Sequence, residues 1–425
     1  MLCLAALVAG FLALEGLALW GSSDARIIAN LQTSFQQAVL PASNYPMSPY
    51  GHLAHRYDMF TECTALSTNL GNEDRSLLYR LAATPWVSND TQHPCDALRE
   101  ALRAGHVVAD RPYFRYWHGY QIYLRPLLSF MSVAELHRLN ALLLIGALAL
   151  LIGRLVAWFG TLAAPAYLIP FVVGSDLLTV PAVSVHAISL IWVFASAAIF
   201  AYAVERRPVL QQETLAMVFC LGASTNFFDL MFNPPLAPAL FAFLALWQRL
   251  WRKPDPPVMR GAIAAGAAVV VVWFAGYALA WAAKWTFAAA VLGPGEVVPD
   301  VVHYIFFRIN GPVPAVAPEE IGFFTPTYRA LDQAGFALIL TCAGLAALVL
   351  AWHFIAGRLA KADLARFAVL QLPLIVPVAW CEVLRNHTIV HQGFASRSFV
   401  LFAVLPLLAA LAVCREPLPR RRPRS

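Results

Sequence analysis

The chain has 425 residues, of which 60% are hydrophobic and only 13% charged, with a mean hydropathy of +0.64. That balance excludes an ordinary soluble globular enzyme. The formal net charge of +6 comes from basic residues gathered in a few short segments, which calls for anionic headgroups as partners and not for nucleic acid.

About twenty apolar residues match the thickness of the hydrocarbon core when helical, and spans must be helical because lipid offers no partner to open backbone groups. Ten spans are predicted, at 2–20, 138–158, 161–175, 179–203, 213–228, 235–251, 260–283, 331–354, 366–381 and 397–414, with Pro165 and Pro170 interrupting the third. The expected fold is therefore an all-α integral membrane protein, one polytopic domain over 1–425. The first span lacks a basic leading region and a clear small-residue cleavage site, so it reads as an anchor and not as a signal peptide. Glu15 within it is expected to face the protein interior or water.

Residues 21–137 form a first large loop, too long for a simple connector. In it "DARIIANLQTSFQQAVLP" predicts an amphipathic helix capped by Asp24 and stopped by Pro41. Next comes "HRYDMFTEC". On a helix from His52 through Glu62, residues His52, His55, Asp58 and Glu62 share about a third of the wheel at ~100° per residue. Such a face suits a divalent cation, Mg or Mn, or a carboxylate base supported by its neighbours. A solvated helical face reads the same way. "PCDALREALRAGHVV" predicts another helix. Cys63 and Cys95 both fall in this loop, where an oxidising compartment permits a disulfide; spacing alone leaves the pairing open. "YFRYWHGYQIYLRPLLSFMS" mixes apolar and aromatic residues with Arg115, His118 and Arg125, as a helix lying along the membrane interface would. Its aromatic residues read first as an interfacial belt.

Beyond the loop, Arg154, then Arg206 and Arg207, then Arg249, Arg252, Lys253 and Arg260, then Arg358, Lys361 and Arg366 alternate with turns near 176 and 230 that carry no Lys or Arg. By the positive-inside rule these basic segments and the tail 415–425, "REPLPRRRPRS", are cytoplasmic, with both termini inside. His186 in the fourth span reads as a hydrogen-bonded packing residue. Asp229 in "STNFFDLMFNPP" reads either as an acid facing a polar pocket or as a cap for the sixth span. The second large loop, 284–330, carries His303 and Arg308. In "RNHTIVHQGFASR", Asn386, His387, His391 and Arg397 are donors suited to a phosphate-bearing ligand, or to headgroups at the interface. Every candidate for chemistry thus falls on the extracytoplasmic side. Motifs for a nucleotide site, a serine-hydrolase elbow or a zinc protease are absent from the sequence.

An early anchor, a long first loop with membrane-parallel helices and an acid pair, Asp58 and Glu62, near its start resemble the GT-C superfamily of membrane glycosyltransferases that use polyprenyl-phosphate sugars. The phrases "RYWHGY", "NFFD" and "NHTIVHQGFASR" also look like a set of bacterial multi-span proteins near it. The resemblance covers most of the chain, with one departure: no soluble domain follows the spans. It implies inverting sugar transfer on the outer face of the bacterial inner membrane, with Asp58 as base and Glu62, His52 and His55 supporting it or holding a metal. His387, His391, Arg397 and Asn386 would meet the donor phosphate or substrate, joined by Arg115, His118, Arg308 and Asp229. The partners implied are a polyprenyl-phosphate-linked sugar, membrane lipid and a glycan or lipid acceptor of the envelope. A transporter or flippase of lipid-linked sugars, a glycan polymerase or ligase, and a structural subunit are the rival classes.

Overall fold

The computed structural model describes residues 2–40, 45–46, 57–70, 73–87, 93–105, 107–252, 256–313, 316 and 321–414. Helix α1 (Leu2–Trp20) is followed by short helices α2 (Asp24–Gln36), α3 (Met59–Ser67), α4 (Leu77–Ala83), α5 (Pro94–Ala104) and α6 (Gln121–Leu128). The central part comprises α7 (Val133–Phe159), α8 (Ala163–Gly174), α9 (Ser184–Arg206), α10 (Gln212–Phe228), α11 (Leu236–Arg252) and α12 (Pro256–Leu292). The remainder is α13 (Pro294–Asn310), α14 (Thr325–Gln333), α15 (Phe336–Ile355), α16 (Lys361–Leu370), α17 (Ile375–Val383), α18 (Arg385–Val390), α19 (Gln392–Ala395) and α20 (Leu401–Cys414). Among the described residues no strand forms, and β pairing is confined to one bridge between Trp86 and Arg111.

Among the described residues, seven stretches are long and apolar enough to cross a membrane: Cys3–Trp20, Val133–Phe159, Ser184–Arg206, Val258–Leu292, Phe336–Ile355, Lys361–Val383 and Gln392–Cys414. Several expose large apolar side chains, including Leu142, Ile145, Leu150, Leu340, Leu348 and Trp352. Faces of that kind are tolerated in lipid and avoided in water, so this is the architecture of a multi-pass, all-α membrane protein. The other three segments expected to span are shorter helices: α8 has 12 residues, α10 has 17 and α11 has 17. Conversely, α12 runs 37 residues, well past the predicted end at 283. Nothing in "KWTFAAAVL" breaks a helix until Gly293, at φ +103°, and Pro294. The second large loop therefore begins as helix.

Two further differences concern the first large loop. The helix at "HRYDMFTEC" starts at Met59, with Asp58 as its N-cap and not inside it; His52 and His55 lie outside the described residues. In the aromatic stretch only α6 is helical, and Trp117, His118 and Tyr120 are fully buried. The interfacial-belt reading is thus overturned. Tyr113 N–H donates to the Ala83 carbonyl and Gly119 N–H to that of Phe227, both pulling the segment inward. The indoles of Trp281 and Trp285 both donate to the Arg115 carbonyl, at 2.6 and 2.9 Å. Helices α2 and α5 form where predicted, although Ser23 and not Asp24 is the N-cap of α2. Cys63 and Cys95 are joined in a disulfide that ties α3 to α5.

The main core lies between α7–α12 and α20. Helices α10 and α11 pack along α12, and α7 packs along α9. A smaller core under the first loop joins α2, α3, α5 and α6 to the start of α7 and α9. This second core carries the acid of "HRYDMFTEC" onto the ends of the long helices.

Candidate active site

Asp58 precedes α3, and its carboxylate caps that helix. Oδ1 accepts from the Thr61 N–H at 3.0 Å and Oδ2 from the Thr61 hydroxyl at 2.7 Å. Oδ2 also stands 3.5 Å from Nε2 of His186, near the start of α9. The side chain keeps 16% exposure, so it is sunk in protein yet reachable. Burial pushes its pKa above the ordinary carboxylate range, while the Thr61 hydrogen bonds and the Arg397 charge pull against that rise.

Behind His186 runs a chain of buried polar contacts. Arg397 Nη2 lies 2.8 Å from His186 Nδ1. The same guanidinium makes a two-pronged ion pair with Asp176, Nε to Oδ1 at 2.6 Å and Nη2 to Oδ2 at 2.5 Å. Asp176 sits in the turn between α8 and α9. On its other side, Asn233 Nδ2 donates to the Ser189 hydroxyl at 2.8 Å, and that hydroxyl donates to Asp229 Oδ1 at 2.6 Å. Asp229 in turn accepts the backbone N–H groups of Phe232 and Asn233 at 3.1 and 3.2 Å. It does not cap the sixth predicted span; it closes the turn that follows α10, where Met231 is held at φ +69°.

That turn is shared with a cleft. A space of about 490 Å³, its open mouth included, is lined by Arg115, Arg308, Met231, Trp281, Trp285 and Tyr304 among others. Arg115 pairs with Asp300 at 3.1 Å and lies 3.6 Å over the Tyr304 ring. Arg308 Nη1 lies 3.3 Å from His391 Nε2. Next to it, His387 Nε2 bonds the Met231 carbonyl at 3.0 Å. Phe394 links the two groups: its ring contacts those of His391, at 4.9 Å between centroids, and His186, at 5.3 Å. The polar chain behind Asp58 and the arginine cleft are therefore connected through two segments, 229–233 and 387–397.

Several predicted residues have partners of another kind. Glu62 is fully buried and accepts from the Ser184 N–H at 2.6 Å, the Ser184 hydroxyl at 2.8 Å and His137 Nε2 at 3.1 Å. It fastens α3 to the start of α9 and turns away from His186. Arg397 is 1% exposed and committed to Asp176, so the cations that border the cleft are Arg115 and Arg308. Burial and the Arg308 charge hold His391 down to about 3, and burial with the neighbouring His391 keeps His387 well below the usual imidazole range. Both rings are thus held toward their neutral form. Asn386 donates to the carbonyls of Gly311 and Pro312. His118 is buried, and its backbone N–H donates to Glu15 at 3.3 Å. Glu15 faces the interior, as expected. Arg125 donates to Asp24, Ser22 and Asn69, which fastens α6 to the end of α1. A metal held by His52 and His55 would lie outside the described residues; among the described residues no group of three or more His, Cys, Asp or Glu is arranged to hold one.

Sequence reasoning passed over Asp176 and Lys284. Asp176 stands in "VGSDLLTV", an acid in an apolar turn, the same signal that drew attention to Asp229. Lys284 falls at the expected start of a loop, yet it is fully buried and donates to the Leu81 carbonyl at 2.6 Å. Its signal was a lone cation in "WAAKWTF". No protein-family model, curated protein or solved structure matches this chain.

Proposed function

We propose that the protein is an inverting glycosyltransferase that moves a sugar from a polyprenyl-phosphate donor to an acceptor on the outer face of the bacterial inner membrane. The observation that carries this reading is a reachable carboxylate, Asp58, linked through His186, Phe394 and His391 to Arg308 of a cleft bordered by two guanidinium groups and aromatic walls. In the reaction Asp58 takes the proton of the acceptor hydroxyl as that oxygen attacks the anomeric carbon from the face opposite the phosphate. The anomeric carbon–oxygen bond breaks and its electron pair leaves with the phosphate. Arg115 and Arg308 meet the growing phosphate charge; donors fixed before the reaction stabilise such charge without reorganising. The apolar walls of Trp281, Trp285 and Ile305 suit the first isoprene units and a sugar ring. In this reading the chain crosses the membrane ten times with both termini in the cytoplasm, the short helices α8, α10 and α11 completing crossings inside the bundle.

The test is transfer by purified protein from a panel of labelled polyprenyl-phosphate sugars to an envelope extract, with wild type and Asp58→Asn compared, each with and without EDTA. Label transferred by wild type and not by Asp58→Asn supports the reading, and the EDTA arm reports on metal. Equal transfer by the variant removes Asp58 as base. A flippase of lipid-linked sugars is the second reading, favoured by the buried Glu15 and Lys284 among the long helices. It predicts a donor that is bound and moved across the bilayer without being consumed.

A further inference from the structure

Asp176 and His186 have no place in the reaction as drawn, and both are buried among apolar helices, where polar groups are retained only with partners. Their geometry is specific. An arginine cannot give up its proton and has only donors. With Arg397 Nη2 at 2.8 Å from His186 Nδ1, that nitrogen must present a lone pair. The single ring proton then sits on Nε2, which stands 3.5 Å from Asp58 Oδ2 and has no other hydrogen-bond partner among the described residues. A second proton on the ring would set two donors against each other. Arg397 is itself aimed by the two-pronged pair with Asp176, and Asn233 Oδ1 lies 3.5 Å from Nη1. Four residues from three stretches of the chain thus converge, from Asp176 through Arg397 and His186 to Asp58.

We propose that Asp176 and Arg397 are positioning residues that lock His186 in its neutral, Nε2-protonated form, so that the ring points its N–H at Asp58 and, once the 3.5 Å between them closes, holds that carboxylate as an acceptor in a fixed orientation. The inference rests on the reading of Asp58 as the base. The pair is more than a brace, because a brace would not need the nitrogen of His186 opposite the guanidinium. Asp176 also acts in a second way. Without its charge, Arg397 would be the nearest cation to Asp58 and would be drawn into a direct pair with it. The charged and titratable groups facing His186 are Asp58, Arg397 and, across Phe394, His391.

The experiment is nitrogen-15 NMR of histidine-labelled full-length protein in detergent micelles, with the His186 signals identified by their loss in His186→Gln. Wild type is expected to show one neutral ring, protonated at Nε2, that stays so across the pH range in which an exposed histidine titrates. Asp176→Asn is expected to mix the two neutral forms or to let the ring titrate, and Asp176→Glu to restore the wild-type pattern. A wild-type ring protonated at Nδ1, or charged at neutral pH, overturns the proposal, as does an Asp176→Asn spectrum identical to wild type. If Asp176→Asn does not fold, the wild-type form and the spectrum of Arg397→Lys, whose point charge cannot hold both partners, decide the matter. None of these readings needs transfer activity, so a failure here is separate from a failure of the glycosyltransferase reading. In an active preparation, Asp176→Asn should also lower kcat at least 10-fold and shift the pH profile, with KM for donor little changed.

Discussion

At the scale of single residues, Asp58 is where function and stability pull apart. Its folded pKa is raised by burial, so the folded state binds this proton more readily than the unfolded chain does. The sign follows: through Asp58, stability grows as pH falls through the raised value and is lowest above it. Asp58→Asn, which keeps the shape and an acceptor for Thr61, is therefore expected to abolish transfer while leaving thermal stability at neutral pH equal to wild type or higher. Unfolding followed by fluorescence checks this, and a marked drop in midpoint would mean that Asp58 serves mainly as the cap of α3. For the same reason transfer should fall on the acid side at a pH above that of an ordinary aspartate. The two arginines of the cleft make a different prediction. Losing one donor to a developing charge costs about 100-fold in kcat, so Arg115→Ala and Arg308→Ala should each lose roughly that much while the protein still folds. Arg397→Ala should instead damage folding, because removing one partner of a buried pair strands the Asp176 charge and costs about 3–5 kcal/mol.

Among the elements, two contacts set how the site is assembled. The disulfide between Cys63 and Cys95 closes a loop of 32 residues, which the chain-entropy account values at about 3–4 kcal/mol. It lies five residues beyond Asp58 and holds α3 against α5. Cys63→Ala with Cys95→Ala is expected to destabilise the protein by about that amount and to lower transfer further, because the Asp58 cap is carried on α3. A reducing titration followed by melting temperature measures it. The other contact is between α10 and α12. A Cβ on Gly222 would run into the Trp273 carbonyl, and one on Gly276 into the Phe219 carbonyl. Two backbones this close leave no room for a side chain from either helix, as small-residue interfaces in membranes allow. Gly222→Leu is expected to reduce the yield of folded, monodisperse protein sharply, with a cost above about 2 kcal/mol. The turn with Asp229 and Met231 hangs from the end of α10, so even Gly222→Ala, which already places a Cβ against the Trp273 carbonyl, should disturb that turn along with the packing of the two helices.

For the whole molecule, the question is which face carries the site. In the proposed orientation residues 207–211 lie in the cytoplasm and the turn near 176 outside, and the site hangs from that turn. Leu178 and Leu210 are both exposed and report on the two sides. With Leu178→Cys, a membrane-impermeant maleimide should label intact cells above the wild-type background; with Leu210→Cys, labelling should need permeabilised cells. The reverse pattern would turn the molecule over and put the site in the cytoplasm, away from any polyprenyl-linked donor displayed outside.

Much of this protein is decided locally and so could be read along the chain. Hydropathy marks the long helices, because a span has to satisfy its own backbone and be apolar over its length. Local signals also place α2 and α5, with Pro94 opening α5 and Gly105 closing it. The acids and histidines of "HRYDMFTEC" and "RNHTIVHQGFASR" stand out for the same reason: charge is rare in such a chain and each instance needs a cause. What local signals do not contain is the identity of the partner. Asp58 and Glu62 are four residues apart and look alike, yet one faces His186 and the other caps α9, because the first turn of α3 divides them between two directions. Arg397 reads along the chain as a free cation, yet Asp176, 221 residues away, holds it. Arg115 and Arg308 rank behind the histidines in the sequence, and border the cleft only because the aromatic stretch folds inward against α12. Pairings of that kind depend on packing between distant helices, and only the tertiary structure decides them.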